Sequence, residues 1–361
     1  MTNETKPDDL SEEAVIDPSE SEDDESEQST RYSISSYGAD YTADGFVTKL
    51  RKEDIFIPDF QRGYVWSNVQ ASRFIESLIL GLPVPGVFLF RQADTQKLLV
   101  VDGQQRLRSL VAFYDAVLSG REFVLKGVTT GLSGASYKTL KEPDRRRLDD
   151  AIIHATIFKQ EDPSDNENSV YEVFQRLNTG GTPLVPQEIR SCIFLGPLND
   201  TLGVLAADQN WRSLYGKPSR RGKDRELILR FFALYFDLPR YHRPMVEFLN
   251  EFMGQNRKLE KHSRADLTKV FTEAMAHAAK YLTPQAVRPE RAYNAALADA
   301  VLVGLATRLK RPLVHPDQLA PALQHVAAQT EFLKLYTKGT TDPASLEKRI
   351  ALVTTAFDAV Q

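Results

Sequence analysis

The stretch Leu98-Leu99-Val100-Val101-Asp102-Gly103-Gln104-Gln105-Arg106-Leu107 constrains the fold more than any other. An apolar, β-branched run meets Asp-Gly, and the apolar positions then switch to helical spacing at Leu107, Leu110, Val111, Tyr114 and Leu118. The pattern predicts a strand, a tight turn and a helix ending near Gly120. Gly103 allows close approach to the backbone, and a helix start carries N–H groups with no partner in their own helix. Two amides and a guanidinium converge on that corner, so its chemistry suits a phosphate. The same residues also allow a structural role, with Asp102 capping the helix and Gln105 closing a capping box. The two readings are compatible, because a well-set helix start presents its remaining N–H groups.

Around this corner the chain reads as an α/β or α+β domain over residues 41–160. Residues 41–50 predict a short helix, and residues 55–58 an extended segment. Asp59-Phe60-Gln61-Arg62-Gly63-Tyr64-Val65-Trp66 is dense in aromatic and hydrogen-bonding side chains, and Gln61 and Arg62 are hard to bury without partners. Ser67 and Gln70 form a capping box for the next helix, which Gly81, Pro83 and Pro85 stop. Residues 86–90 and 97–101 then read as a hairpin, and residues 152–158 as a further strand. A polar linker at residues 161–168 marks a soft boundary. Beyond it, residues 168–361 read as a mostly helical domain, beginning with a helix that ends in Asn178-Thr179-Gly180-Gly181-Thr182-Pro183. The clearest later helices span residues 224–236, 265–282, 292–309, 317–336 and 344–360.

Charge is distributed unevenly. Residues 1–30 hold 12 acidic side chains and one Lys, so the rest of the chain carries a net +7 against an overall −4. Dense like charge with few apolar residues predicts a disordered acidic tail over residues 1–30. It reads as a solubilising arm, or as a nucleic-acid mimic shielding a basic groove. A hydrophobic content of 42% over 361 residues is ample for a sizeable core. There is no run of about 18 apolar residues and no signal-peptide pattern, and the single cysteine, Cys192, cannot form an internal disulfide. These features point to the cytoplasm and away from membranes.

The sequence contains no G-x-x-x-x-G-K-[ST] loop, no G-x-G-x-x-G fingerprint and no G-x-S-x-G elbow. Its six histidines form no pair with metal-ligand spacing. Arg212, Lys217, Arg220, Arg221, Lys223 and Arg225 cluster with Trp211 and Tyr215, a mixture suited to phosphate contacts and base stacking or to a solvated loop.

Four motifs in order, Ile57-Pro58-Asp59-Phe60-Gln61-Arg62-Gly63-Tyr64-Val65-Trp66, then Glu76 to Pro85, then Asp102-Gly103-Gln104-Gln105-Arg106, then Phe174 to Leu184 with Glu188-Ile189-Arg190, resemble the N-terminal domain of GmrSD-type restriction enzymes. The resemblance implies a ParB/sulfiredoxin-like α/β core followed by helices, in an NTP-binding and NTP-hydrolysing component of an anti-phage restriction system. It implies catalytic roles for Asp102, Gln105 and Arg106, and nucleotide contacts from Gly103, Gln104, Gln61, Arg62, Asn178 and Arg190. Mg²⁺ is expected with the nucleotide, Asp102 being its candidate contact. DNA, a separate nuclease or defence subunit, and further copies of the chain are the expected partners. Many relatives also carry an HNH-type nuclease domain, and the last third of this sequence has no comparable cluster of His and Asn. The alternative is a DNA-binding or DNA-cleaving module, or a nuclease partner subunit, without nucleotide hydrolysis.

Overall fold

A computed structural model describes residues 14–17, 33–58, 64–128, 131–162, 168–177 and 184–361. Its contacts divide the chain into two units, Arg31–Leu184 and a second comprising Met1–Thr30 and Val185–Gln361.

β1 (Val15–Ile16) belongs to the second unit. The α/β unit then runs β2 (Ser33–Thr42), α1 (Ala43–Arg51), β3 (Ile55–Phe56), α2 (Asn68–Ile79), β4 (Val87–Arg91), β5 (Leu98–Asp102), α3 (Gln104–Tyr114), a small hairpin of β6 (Val117–Leu118) and β7 (Arg121–Glu122), α4 (Glu142–Asp149), β8 (Ile152–Asp162) and α5 (Asn168–Leu177). One mixed sheet has the order β2-β8-β4-β5-β3. The pairs β2–β8 and β4–β5 are antiparallel, while β8–β4 and β3–β5 are parallel. Period-two alternation sends Val87, Leu89, Val100, Ile153, Ala155 and Ile157 into one core with Phe46, Ile75, Leu107, Leu110 and Phe113. The alternate residues Phe90, Leu99, Val101 and Phe158 are buried too, and α5 packs against β5 and β8 with Val170 and Phe174 buried.

The expected capping box forms: Gln70 N–H donates to Ser67 Oγ at 3.3 Å, and Ser67 N–H donates to Gln70 Oε1 at 2.9 Å. Two expectations fail. Tyr41 and Thr42 end a strand rather than start a helix, and Thr42 caps α1 by accepting from Gly45 N–H at 3.1 Å. The strand is polar and lacks apolar alternation; β8 holds it by pairing along its whole length. The helix after Gly103 stops at Tyr114 instead of reaching Gly120. Ala116 and Ser119 take φ of 57° and 51°, and β6 turns back onto β7.

The helical unit contains α6 (Pro186–Ile193), α7 (Pro197–Leu205), α8 (Gln209–Tyr215), α9 (Lys223–Asp237), α10 (Met245–Asn256), α11 (Arg264–His277), β9 (Tyr293–Asn294), α12 (Ala295–Arg308), α13 (Leu319–Ala327), α14 (Thr330–Leu335) and α15 (Pro343–Asp358). α12 is apolar on nearly every side, which requires burial all round, and it packs on α9, α11 and α15. Arg308 at its end donates to Val360 O at 2.7 Å and to Phe357 O at 3.1 Å, satisfying the carbonyls that close α15. The helix expected over residues 317–336 is instead two, broken at Ala328 and Gln329.

β1 overturns part of the expectation for residues 1–30. Val15 and Ile16 pair in parallel with Tyr293 and Asn294, and the Asp17 carboxylate lies 2.7 Å from Lys223 Nζ and 3.1 Å from Arg230 Nη1. Residues 14–17 are thus held in place by two cations more than 200 positions away, which composition alone does not reveal. The remainder of that stretch lies outside the described residues.

Candidate functional site

β5 delivers Asp102 to the end of the sheet, opposite Phe88 of β4. Gly103 follows at φ 98°, a left-handed conformation that disfavours other residues, and acts as the N-cap of α3. A Cβ at Gly103 would lie 2.5 Å from Val87 Cγ1, so glycine is required by conformation and by space. Gly103 O accepts from Leu107 N–H at 3.0 Å, which starts the helical ladder. No side chain caps the helix.

This corrects the capping-box reading of Asp102 and Gln105. The Asp102 carboxylate accepts from Arg106 Nη2 at 2.8 Å, and the same Nη2 donates to Gly86 O at 3.0 Å. Gln105 Oε1 accepts instead from Val65 N–H at 3.0 Å and Trp66 N–H at 3.3 Å. The Asp102 side chain is 42% exposed and that of Arg106 15%. The carboxylate therefore faces solvent while the guanidinium lies along the sheet end. Among the described residues, Gln104 Oε1 and Arg106 Nε are buried and have no hydrogen-bond partner.

Tyr64 and Ser109 complete the corner, and sequence reasoning did not single them out. Tyr64 OH lies 2.7 Å from Ser109 Oγ, which donates to Gln105 O at 2.7 Å. Burial raises the Tyr64 pKa, so the phenol stays protonated. These bonds fasten residues 64–66 to α3, immediately after the Gln61-Arg62 motif. Gln61 and Arg62 themselves, like Asn178, lie outside the described residues. A second pair sits at the same sheet end: His154 Nδ1 is 2.8 Å from Asp40 Oδ1 across the β2–β8 register, and a Cβ at Gly86 would lie 2.8 Å from His154 O. Only strand register brings these groups into one row. Glu76 to Pro85 ends in an open groove of about 720 Å³ lined by residues 78–84, Arg146, Arg147 and His154.

Arg190 belongs to the helical unit. Its guanidinium donates to Gln187 Oε1 at 2.9 Å and pairs with Glu226, and its side chain is 1% exposed. Its charge is therefore spent inside that unit. Among the described residues, three of the six in the basic cluster are engaged in ion pairs, and Arg225 is half-buried. Arg212 pairs with Asp224 at 2.9 Å, Arg221 with Glu188 at 2.9 Å, and Lys223 with Asp17 and Glu226, each at 2.7 Å. Lys217 and Arg220 are exposed. Trp211 and Tyr215 are buried and stacked on each other at 5.3 Å, which removes the base-stacking surface expected of them.

Residues 45–195 match the family model of the GmrSD restriction endonuclease, N-terminal domain. This segment is a GmrSD-type N-terminal domain. The match runs from within α1 to just past α6, so it holds the corner, the groove and Arg190. A GmrSD N-terminal domain implies a component of a restriction or anti-phage system. No curated protein matches the chain. Among the described residues, no helix is long and apolar enough to cross a membrane, and no three His, Cys, Asp or Glu side chains gather to hold a metal.

Proposed function

We propose that the GmrSD-type domain binds a nucleoside triphosphate at the corner after β5 and hydrolyses it, as the nucleotide-handling part of a restriction system that acts on DNA. The observation that carries this reading is the conjunction at Gly103 of an uncapped helix start with the Arg106 guanidinium. Backbone N–H groups at the start of α3 meet the phosphates, and Arg106 neutralises their charge. Arg106 then exchanges Asp102 for phosphate, which leaves the exposed carboxylate to orient water. Gln105 keeps residues 65 and 66 in place, close in sequence to the Gln61-Arg62 motif. Positioning and charge neutralisation supply most of the catalysis in phosphoryl transfer, and this corner offers both.

Mg²⁺ commonly binds through one or two carboxylates together with substrate phosphates and water, so a single carboxylate at the corner fits an ion that arrives with the nucleotide. Asp102 would hold it, and it would offset charge between the phosphates.

A thermal-shift panel of ATP, GTP, CTP and UTP, with and without Mg²⁺, tests binding, and phosphate release tests turnover. At least one triphosphate is expected to raise the melting temperature. If none shifts it, and DNA affinity instead falls steeply with salt, a DNA-binding module replaces this reading.

A further inference from the structure

In the helical unit, β1 adds two residues in parallel to β9, and Tyr293 N–H donates to Ala14 O at 2.9 Å. Asp17 follows, its side chain 3% exposed, between Lys223 at 2.7 Å and Arg230 at 3.1 Å. Arg230 is 2% exposed and also meets Asp299 at 2.7 Å, while Lys223 also meets Glu226 at 2.7 Å. Burial works against the charge on Arg230, but Asp299 and Asp17 together raise its pKa above the ordinary value. An enclosed cation requires nearby anions, and losing one leaves a charge that is costly to keep buried.

Asp17 supplies such an anion from a short segment. β1 is only two residues long, and Ile16 is 46% exposed. Among the described residues, a short strand edge and the seat of the Asp17 carboxylate hold this segment. Main-chain pairing combined with a side-chain pocket is how receptors of the strand-addition type recognise peptides.

We propose that the helical unit is a receptor for an extended acidic peptide in which two apolar residues precede Asp, that residues 14–17 are its resident ligand, and that an equivalent peptide supplied in trans exchanges with them. The seat is formed by Lys223 and Arg230, and the edge by Tyr293 and Asn294. This inference is independent of the nucleotide reading.

The test uses the full chain. A fluorescein-labelled peptide of residues 10–20, LSEEAVIDPSE, is titrated by anisotropy against the wild type and Asp17→Ala, after circular dichroism shows that both are folded. A tether holds its own ligand at an effective concentration of about 1 mM, so the wild type binds the free peptide at least about 10-fold more weakly than Asp17→Ala. The same peptide with Asp17→Asn binds Asp17→Ala at least about 10-fold more weakly than the parent peptide. A folded Asp17→Ala chain that binds neither peptide, or both equally, overturns the proposal. Displacement of the bound peptide by duplex DNA overturns the peptide class in favour of phosphate. If Asp17→Ala does not fold, hydrogen exchange on the wild type decides. Reversible release requires the Tyr293 amide to exchange at least about 100-fold faster than that of Val301 in α12, and equal rates overturn it.

Discussion

Gly103 and Arg106 carry the sharpest tests at the scale of single residues. Gly103→Ala must place a side chain at φ 98° and 2.5 Å from Val87 Cγ1. The backbone strain alone costs about 1–3 kcal/mol, and overpacking adds to it. Urea denaturation is expected to show a loss of at least about 2 kcal/mol, of which Val87→Ala in the same chain recovers only the packing part. Arg106→Ala is expected to keep the fold, because Asp102 is exposed enough to be resolvated, and to abolish the nucleotide-dependent melting shift. Arg106→Lys retains charge but loses the planar fork that reaches both phosphate and Gly86 O, so binding falls between the two. Glu226 gives a pH test. Burial alone would raise its carboxyl pKa, yet Lys223 and Arg190 hold it below the ordinary value. A depressed pKa contributes stability that is complete above the unfolded value of about 4.3 and fades as pH falls through the folded one. The stability gap between wild type and Glu226→Gln should therefore narrow from pH 6 to pH 3, and a gap constant across that range would contradict the pairing. At this scale Gly103 was legible, because turn geometry is local. The choice of Asp102 between helix cap and Arg106 partner was not, because it depends on where Gly86 O lies.

Among the elements, those with strong local signals behaved as the spacing required. Ser67 and Gln70 announce the start of α2, and the box between them predicts that Ser67→Ala lowers stability by about 1 kcal/mol in thermal or urea unfolding. Replacement by Asp should restore most of it, since Asp caps as well as Ser. β2 was illegible for the opposite reason. Its residues Ser35, Ser36, Gly38 and Asp40 have no strand preference, and only the antiparallel partner β8 makes them extended. The early stop of α3 also escaped the pattern. Leu118 continues the helical spacing, yet it serves as a buried residue of β6 after a left-handed turn at Ala116.

On the scale of the whole molecule, the two units each contain one of the two tryptophans, Trp66 in the α/β unit and Trp211 in the helical unit. Trp66→Phe and Trp211→Phe variants therefore each leave one indole, reporting on the helical and the α/β unit respectively. Nucleotide at about 100 times its Kd should stabilise the unfolding seen by Trp66 by about 2.7 kcal/mol. A shift of the Trp211 transition alone would move the nucleotide site out of the α/β unit. Long-range charge placement was the part of the molecule least visible beforehand. Arg190 stood in a family motif and suggested a phosphate ligand, but Glu226, 36 positions on, takes its charge. Trp211 and Tyr215 suggested base stacking, but they pack on Phe271 and Tyr293 inside the unit.

Local chemistry in the sequence by itself determined the strand-to-helix corner, the capped start of α2, the mixed α/β character of the first unit and the helical character of the second. Each depends on residues within a few positions of one another, where side-chain period and backbone preference act directly. Only the tertiary structure decided which partner each charge meets, that a polar stretch becomes the strand β2, and that Asp17 is buried among the helices. Those outcomes depend on groups brought together across tens to hundreds of residues, and a buried charge or an edge strand is stable only once its distant partner is in place.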